Sequence, residues 1–504
     1  MTQTQKRWTL TAVILGSGIV FLDTTVVNLA LPKIGQELES NFIGVLEGQS
    51  YVYNGYLLTL SALLILAGAL NDYFGRRRMF ALGLVGFGVT SLLCGIAPNL
   101  ELLILFRILQ GATGALLVPG SLSIITASFD GEEQGRAFGI WAGASAATTI
   151  LGQFLGGVLV NSVTWRAAFL INVPIVLLAY YATVRHVPES RDEEATGRFD
   201  WLGAAVIALA VGGLAFGAIR GEQQQWDDPI AFIALAVGLG ATVVFPILMA
   251  RSSHPLVPLE LFRSRNFTVT NVSTLLIYGA LYTNLQFASI FLVGTVGYNE
   301  PAVAIATLPA TVLLALFSTR FGKLAARYGP RIFMTVGPVV MALGLLWAAR
   351  LPPDTAAWDF GTGRGQRLLP PAGYFVDLFP AFLVFGIGLT IMVAPLTTAL
   401  MTSVPKHNSG VGSAINNAIS RVGPQLAGAL IFVAIAGSFY GSLADRVPGL
   451  DTSSQEVRNR ISPLNRPAEQ VSPQILRAVR ESSTDSFHLA MAVAAALLLV
   501  GGAV

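Results

Sequence analysis

Residues 68–78 read Gly-Ala-Leu-Asn-Asp-Tyr-Phe-Gly-Arg-Arg-Arg, and residues 322–331 read Gly-Lys-Leu-Ala-Ala-Arg-Tyr-Gly-Pro-Arg. Each stretch begins with a glycine, has another glycine seven positions later and ends in arginine. A second, weaker pair matches residues 151–157 to residues 422–428. In each half of the chain, the member of the first pair follows the second of six apolar runs. The member of the second pair lies in the fifth run of its half. These offsets predict two parallel repeats.

The composition indicates a membrane protein. Of the 504 residues, 53% are apolar and only 12% are charged, whereas soluble domains carry about 25% charged residues. Because a span needs about 20 apolar residues, the chain has material for twelve to fourteen spans. A porin-type barrel is excluded, since its strands alternate apolar and polar residues and here the apolar residues form long runs.

Hydropathy predicts an all-α integral membrane protein with fourteen helices, since lipid leaves no other way to satisfy the backbone of an isolated apolar run. The predicted spans are 9–31, 49–70, 79–97, 100–128, 136–160, 165–185, 201–220, 229–250, 267–295, 301–320, 332–350, 375–400, 410–437 and 486–504. The last run stops at Val504 without a polar tail, so its helix is expected to be barely long enough.

Loop charges predict the topology. Lys and Arg on the side of the N-terminus outnumber those in the short loops on the other side, which indicates a cytoplasmic N-terminus. The first apolar run lacks a small-residue cleavage site and contains Asp23, so we interpret it as a retained span. Cys94 is the only cysteine, which excludes an intramolecular disulfide.

The repeats predict three parts. They are a six-helix bundle over 1–186, an extra transmembrane hairpin over 200–250, and a second six-helix bundle over 266–504 with an outer segment at 438–485. Parallel repeats of this kind place a substrate site near the midplane where they meet. The outer segment is polar and arginine-rich, and Ser472-Pro473 is typical of a helix start. We expect a connecting loop there, with a docking surface for an extracytoplasmic adaptor as the alternative.

Five local patterns, in this order, resemble the major facilitator superfamily, and most of all its fourteen-span drug:proton antiporter branch. They are Leu22–Pro32 (Leu-Asp-Thr-Thr-Val-Val-Asn-Leu-Ala-Leu-Pro), Gly68–Arg78, Arg107–Gly111 (Arg-Ile-Leu-Gln-Gly), the glycine-rich fifth span, and Trp165–Pro174 (Trp-Arg-Ala-Ala-Phe-Leu-Ile-Asn-Val-Pro). The resemblance implies the major facilitator fold with an inserted hairpin, and secondary transport by alternating access.

Asp23 is the only acid deep in a span of the first half, where a charge is costly and marks a function. The resemblance places Arg107 on an inward-facing side of the fourth span. Together they would form a proton-sensitive pair, because a nearby cation lowers the pKa that burial raises. The alternative is a permanent ion pair that holds the two spans together. Asn28 and Gln110 are expected as polar neighbours, or as ordinary interhelical hydrogen-bonding groups.

The resemblance implies a cytoplasmic latch at Gly68, Asp72, Gly75 and Arg76. The glycines allow close helix approach and a tight turn. The alternative is that the positive charge only sets topology. The second copy has Ala326 where the acid would stand, so only the first copy is expected to latch.

The fifth span fits the antiporter pattern at Gly139, Gly152, Gly156 and Gly157 but departs from it twice. Thr148 replaces a glycine, and Gln153 replaces a proline and could offer a hydrogen bond in the cavity. These departures favour an uncoupled facilitator as the alternative to an antiporter.

Further polar residues lie in spans of the second half. Tyr278, Tyr282, Asn284 and Gln286 are candidate cavity residues, with helix packing as the alternative. Arg421, beside Asn416 and Asn417, could bind an anionic head group or a distant carboxylate, or it could snorkel to the surface.

Enzyme signatures are absent from the sequence. There is no Gly-x-x-x-x-Gly-Lys-Ser/Thr loop and no Gly-x-Ser-x-Gly elbow. The four histidines are isolated, so neither a metal nor a cofactor is expected. We expect a proton-coupled exporter of amphipathic or cationic drugs in the inner membrane, working as a monomer among membrane lipids and without nucleic acid. The alternatives are a transporter of lipid-like amphiphiles, an uncoupled facilitator, and a sensor that signals through its outer segment.

Overall fold

The computed structural model describes residues 1–39, 45–192, 199–223, 227–361, 363, 365–467 and 471–504. These residues form helices and connecting segments, with no β-strand among them. Fourteen helical segments of the described chain are long and apolar enough to cross a membrane. The protein is therefore an all-α, multi-pass membrane protein, as predicted.

Eight helices make up the first predicted repeat. They are α1 (Gln3–Glu37), α2 (Val45–Phe74), α3 (Arg76–Gly95), α4 (Leu100–Gly114), α5 (Leu117–Ser128), α6 (Gly131–Ser162), α7 (Ala167–Leu170) and α8 (Asn172–His186). The extra hairpin consists of α9 (Trp201–Gln223) and α10 (Pro229–Arg251). Two spans of the first repeat are broken helices, since α4 and α5 form one and α7 and α8 form another.

Eight more helices follow the hairpin. They are α11 (Arg265–Phe291), α12 (Glu300–Tyr328), α13 (Arg331–Ala348), α14 (Ala372–Asp377), α15 (Phe379–Thr402), α16 (Ser409–Arg446), α17 (Gln455–Arg460) and α18 (Pro473–Ala503). The prediction of a barely sufficient last helix is wrong, because α18 is 31 residues long. The Ser472 hydroxyl accepts the Ile475 N–H, and Pro473 stands in the first turn, so the outer polar residues and the final apolar run form one helix.

The chain divides into two compact units. Unit 1 comprises Met1–Asn271, Ala315–Arg331 and Val393–Val422, and unit 2 comprises Val272–Leu314, Ile332–Met392 and Gly423–Val504. Four helices of the second half, α11, α12, α15 and α16, thus contribute one portion to each unit. The predicted domain boundaries at 186, 200–250 and 266 stay a prediction.

The hairpin turn is fixed by one carboxylate. Asp228 accepts the Ile230 N–H at 2.8 Å and the Arg220 side chain at 2.5 Å. The backbone donor first, and then the guanidinium, hold the pKa of Asp228 below its ordinary value. The carboxylate therefore caps α10 and joins it to the end of α9.

The repeat is visible in unit 1 as two matching helix crossings. At the crossing of α2 and α16, a Cβ on Gly68 would collide with the Gly410 carbonyl oxygen. At the crossing of α12 and α6, a Cβ on Gly322 would collide with the Gly135 carbonyl oxygen. In membranes such glycine contacts let helix backbones approach closely. Gly68 and Gly322 are the first residues of the two related stretches, so the sequence alignment matches the packing.

The fifth-span pairing also has a structural counterpart within each unit. In unit 1, α6 packs on α1, where a Cβ on Gly152, the residue aligned with Gly423, would lie 3.3 Å from the Leu22 carbonyl oxygen. In unit 2, α16 packs on α11, where a Cβ on Gly423 would lie 2.8 Å from the Leu275 carbonyl oxygen. In both halves, therefore, the fifth span lies close against the first through glycine.

The crossing of α6 and α12 generates a prediction about glycine substitutions. We expect Gly322→Ala to lower thermal stability, because overpacking against a rigid backbone costs about 1–3 kcal/mol. Alanine is otherwise the better helix former by roughly 0.8–1.0 kcal/mol. The matched control is Gly240→Ala in α10, where a Cβ meets nothing within 4 Å, and this variant should melt at the same temperature as wild type or higher. Thermal unfolding of both purified variants in detergent checks the opposite signs, and equal shifts would contradict the crossing.

Candidate functional site

The structure brings Asp23 and Arg107 into a fully buried ion pair. Both side chains are 0% exposed, and Arg107 Nη1 lies 2.5 Å from Asp23 Oδ2. Asp23 is in the middle of α1, and Arg107 is in the middle of α4. The pairing that the sequence predicted is therefore present, and it joins the first and fourth spans.

Two amides complete the hydrogen bonding of the carboxylate. Asp23 Oδ1 accepts Gln110 Nε2 at 3.1 Å and Asn172 Nδ2 at 3.0 Å. Gln110 follows Arg107 by three positions on α4, which places both on one face of the helix, and its Oε1 accepts Arg107 Nη1 at 2.8 Å. Three donors from two helices therefore bind the two oxygens of this carboxylate.

Asn172 is the residue of this site that sequence reasoning missed. It is the first residue of α8 and is fully buried. Its Nδ2 also contacts Ser91 Oγ at 3.0 Å, and Ser91 in turn donates to the Phe169 carbonyl. The available signal was its place in the Trp165–Pro174 pattern, as an amide opening an apolar helix. Asn28, by contrast, is exposed, and it is not among the hydrogen-bond partners of Asp23 found in the described chain.

Aromatic and backbone groups hold the arginine in place. Arg107 Nε donates to the Val52 carbonyl at 3.2 Å, and its guanidinium carbon lies 4.0 Å from the ring centroid of Tyr56. Cation–π contact of this kind strengthens when it is desolvated. Arg107 Nη2 and Asn172 Oδ1 are buried and have no hydrogen-bond partner among the described residues. The cluster thus retains one unused donor and one unused acceptor beside the carboxylate.

The residues of the predicted latch contact one another within unit 1, and their role as a latch stays a prediction. Arg76 donates to Asp72 Oδ1 through Nε at 3.1 Å and Nη2 at 2.9 Å. Arg76 Nη2 also reaches the carbonyl of Lys406 at 2.5 Å, and Asp72 Oδ2 accepts the Val411 N–H at 2.9 Å. The carboxylate of α2 therefore caps the N-terminus of α16, where the helix dipole favours a negative charge.

The two glycines of the latch have separate functions. Gly68 allows α2 to cross α16, as described above. Gly75 has φ of +105°, a backbone conformation that residues with a side chain rarely adopt, and a Cβ there would lie 2.8 Å from the Glu189 carboxylate. The predicted latch residues Gly68, Asp72, Gly75 and Arg76 are thus all placed at one junction between α2, α3 and α16.

The linker after α8 is a third part of this junction, and the sequence did not indicate it. The Arg76 N–H donates to the Ser190 carbonyl at 2.9 Å, and the Asp192 N–H donates to the Asp72 carbonyl at 2.8 Å. Glu189 accepts the Arg77 N–H at 3.1 Å. The chain that leads into the hairpin therefore binds the same turn that carries the latch.

The predicted cavity residues lie in different units, and that they share one cavity stays a prediction. In unit 1, Asn416 donates to Asn271 Oδ1 at 3.1 Å, and Asn417 donates to the Ser413 carbonyl of its own helix. Arg421 is half-buried.

In unit 2, the α11 candidates divide between two faces. Tyr278, Tyr282 and Gln286 follow one another at four-residue intervals, with the first two rings 5.9 Å apart, and Tyr282 is 49% exposed. Asn284 is buried, and it lines a small cavity with Phe385 and Phe487.

The two departures in the fifth span have different outcomes. Thr148 donates to the Ala144 carbonyl of its own helix at 2.7 Å and adjoins Gly18 of α1. The side chain of Gln153, and Gly157, lie outside the described residues. The role predicted for Gln153 in the cavity therefore stays a prediction.

Comparison with known proteins identifies the family. A family model described as Major Facilitator Superfamily matches residues 13–428. The chain belongs to this superfamily. It is therefore a membrane transport protein and not an enzyme, and the resemblance read from the five sequence patterns is confirmed.

Relatives and a solved structure agree with this assignment. The chain is 31% identical over 432 residues to the tetracenomycin C resistance and export protein of Streptomyces glaucescens, covering 86% of this chain and 76% of the relative. It is 31% identical over 449 residues to the puromycin resistance protein pur8 of Streptomyces alboniger, covering 88% and 84%. The crystal structure of the human organic anion transporter MFSD10 matches with a TM-score of 0.59 at 12% identity, covering 99% of this chain and 100% of that one. This last likeness shows the fold alone.

The amide network predicts a stability difference between two asparagines. We expect Asn172→Leu to destabilise the protein by about 1–3 kcal/mol, because it removes a donor from a buried carboxylate. Asn28→Leu on the exposed side of α1 should stay within about 0.5 kcal/mol of wild type. Thermal unfolding in one detergent compares them, and a loss at Asn28 as large as that at Asn172 would contradict the assignment.

The latch predicts a second difference in stability, between two aspartates that contact neighbouring parts of the chain. Asp72 binds the first turn of α16, and Asp130 binds Lys406 just before it. Asp72→Asn leaves buried Arg76 without its counter-charge and should cost about 3–5 kcal/mol. The matched change Asp130→Asn breaks an ion pair with Lys406 in which the aspartate side chain is 81% exposed, and it should cost less than about 1 kcal/mol. Equal unfolding temperatures for the two variants would show that the buried pair does not hold this junction.

Proposed function

We propose that the chain is a proton-coupled exporter of amphipathic or cationic drugs, working by alternating access in the inner (plasma) membrane. Resistance and export are named functions of its relatives. The excess of Lys and Arg on one side supports a cytoplasmic N-terminus. The single observation that carries the coupling is the buried pair of Asp23 and Arg107, since an ionisable group in a span is costly and marks a function.

The proposed coupling step is a proton transfer to Asp23. With the latch engaged, Asp23 is ionised and bound by Arg107, Gln110 and Asn172. A proton added to Oδ2 converts the carboxylate to a neutral acid and breaks the ion pair with Arg107 Nη1. The freed guanidinium then needs another partner, which favours a different packing of α1 against α4. The membrane potential drives positive charge inward, so proton entry would supply the energy for export.

A second function has its own support. The carboxylate of Asp23 is saturated with donors, as in a permanent structural ion pair, and Thr148 and Gln153 depart from the antiporter pattern. An uncoupled facilitator, or a transporter of lipid-like amphiphiles, would need the pair only for stability. Monomeric function, contact with membrane lipids and a bound extracytoplasmic adaptor are proposals compatible with both functions.

Transport of a cationic dye in proteoliposomes tests the coupling. We expect Asp23→Asn to reduce the rate of dye uptake driven by a pH gradient to less than about a tenth of wild type, because the variant cannot exchange a proton. This corresponds to an activation free energy that is higher by more than about 1.4 kcal/mol. Dye exchange without a gradient should continue. Asp130→Asn, which removes an exposed carboxylate, should transport like wild type.

The double variant Asp23→Asn with Arg107→Gln separates the two functions. It removes both charges, so no buried charge is left without a partner. If the pair is purely structural, both stability and gradient-driven transport should recover relative to Asp23→Asn. Under the proposed coupling, stability recovers and gradient-driven transport does not. Wild-type flux that is equal with and without a pH gradient would refute the coupling altogether.

A further inference from the structure

Unit 2 contains a groove that is separate from the candidate site. It lies between the end of α11, the loop after α13 and the start of α18, and its volume is about 980 Å³. This is at the upper end of the range for pockets that bind drug-sized molecules. Because successive spans alternate in direction, the predicted topology assigns these segments to the extracytoplasmic side of the membrane.

The floor of the groove is apolar. Val296, five residues after the end of α11, and Val479 from α18 are nearly fully buried. Leu476, one turn before Val479, lines the same groove and is 49% exposed. An apolar side chain that stays exposed inside a concave surface gains free energy when a ligand covers it.

Three arginines surround this floor, and their charges are unequally satisfied. Arg477 lies 3.0 Å from Glu481 Oε1. Arg480 donates through Nη2 to the Thr355 carbonyl at 2.9 Å, while its buried Nε has no partner among the described residues. Arg466 makes no hydrogen bond or ion pair within the described chain. Two guanidinium groups beside the apolar floor therefore have donors that no described residue accepts.

Among the described residues, the two acids that line the groove do not bind these donors. Glu481 is already bound by Arg477 and by Arg446, at 3.0 and 3.3 Å. Asp354, in the loop after α13, is exposed and forms no ion pair within the described chain. The guanidinium of Arg466 lies against Gly297, whose φ of +96° suits glycine and whose missing Cβ leaves room for the arginine. The backbone thus positions this arginine at the groove.

From this juxtaposition we propose that the groove binds an anionic amphiphile. Its carboxylate or phosphate would accept hydrogen bonds from Arg466 and from Arg480 Nε, since the planar guanidinium matches both anions. Its apolar chain would cover Leu476 and Val479. The ligand has two sources with this same chemistry, an anionic phospholipid of the bilayer or a free acidic amphiphile. The proposal does not depend on proton coupling, because it concerns equilibrium binding at other residues.

Binding to the full-length protein in nanodiscs tests the proposal. The probe is dansyl-labelled undecanoic acid in discs of zwitterionic lipid, with the signal of empty discs subtracted. Its uncharged primary amide serves as the matched ligand. We expect saturable binding of the acid and at least about tenfold weaker binding of the amide. Equal affinity of the two probes would overturn the proposal.

Two variants and a matched control locate the site. Arg466→Gln with Arg480→Gln should weaken binding of the acid about tenfold, which is about 1.4 kcal/mol. Arg367→Gln removes an exposed arginine of the loop before α14 that does not line the groove, and it should bind like wild type. Leu476→Gln keeps every charge and should weaken both probes, so it tests the site even if the double variant folds poorly. Unchanged affinity in the double and Leu476 variants would overturn the assignment.

The composition of the bilayer distinguishes the two sources. When phosphatidylglycerol replaces part of the zwitterionic lipid, a phospholipid ligand would compete and lower the affinity of wild type for the acid, but not that of the double variant. If wild type binds the acid equally in both bilayers, the ligand is a free acidic amphiphile. Either result supports the groove as an anion site, provided that the variants behave as stated.

Discussion

A charge in hydrocarbon must find partners inside the protein, and Asp23 finds three. Arg107, Gln110 and Asn172 come from α4 and α8, while Tyr56 of α2 lies against the arginine. One carboxylate thus joins α1 to α4 and α8 directly, and to α2 through Arg107. Replacing such a buried pair by apolar residues is often neutral, whereas removing one partner is strongly destabilising. The cluster therefore specifies the arrangement of these helices more than it adds to their total stability.

The two copies of the repeat satisfy the same crossing in different ways. Both use glycine pairs, Gly68 with Gly410 and Gly322 with Gly135. Four residues further on, the first copy has Asp72, which binds Arg76 and the N-terminus of α16, and the second has Ala326, whose Cβ adjoins Gly135. An ion pair can be broken by water or by another charge, and a contact of small residues cannot. The first crossing therefore carries an ion pair, whereas the second is held by packing and by the hydrogen bond from Ser318 Oγ to the Gly139 carbonyl at 2.8 Å.

Much of the fold and part of the site could be predicted from the sequence, because the membrane strongly restricts which residue types a span can contain. Long apolar runs gave all fourteen spans, and the rarity of acids in them singled out Asp23. Asn172 was missed because an amide within a span is common and says nothing of its partner. The length of α18 was missed because residues 473–485 are polar, and hydropathy cannot distinguish a polar helix that rises beyond the lipid from a loop. Asn284 and Tyr282, two positions apart, were grouped together although a helix turns by about 200° between them.

The linker at 187–192 explains how an inserted hairpin can be tolerated between two repeats. Its backbone bonds to Asp72 and Arg76 satisfy polar groups of a turn that would otherwise need water. Glu189 adds a negative charge among Arg76, Arg77 and Arg78, a run in which like charges repel. The middle of α9 also packs on α2, where Gly212 adjoins Ala62. The insertion is therefore attached to the first half at both the turn after α2 and the flank of α2.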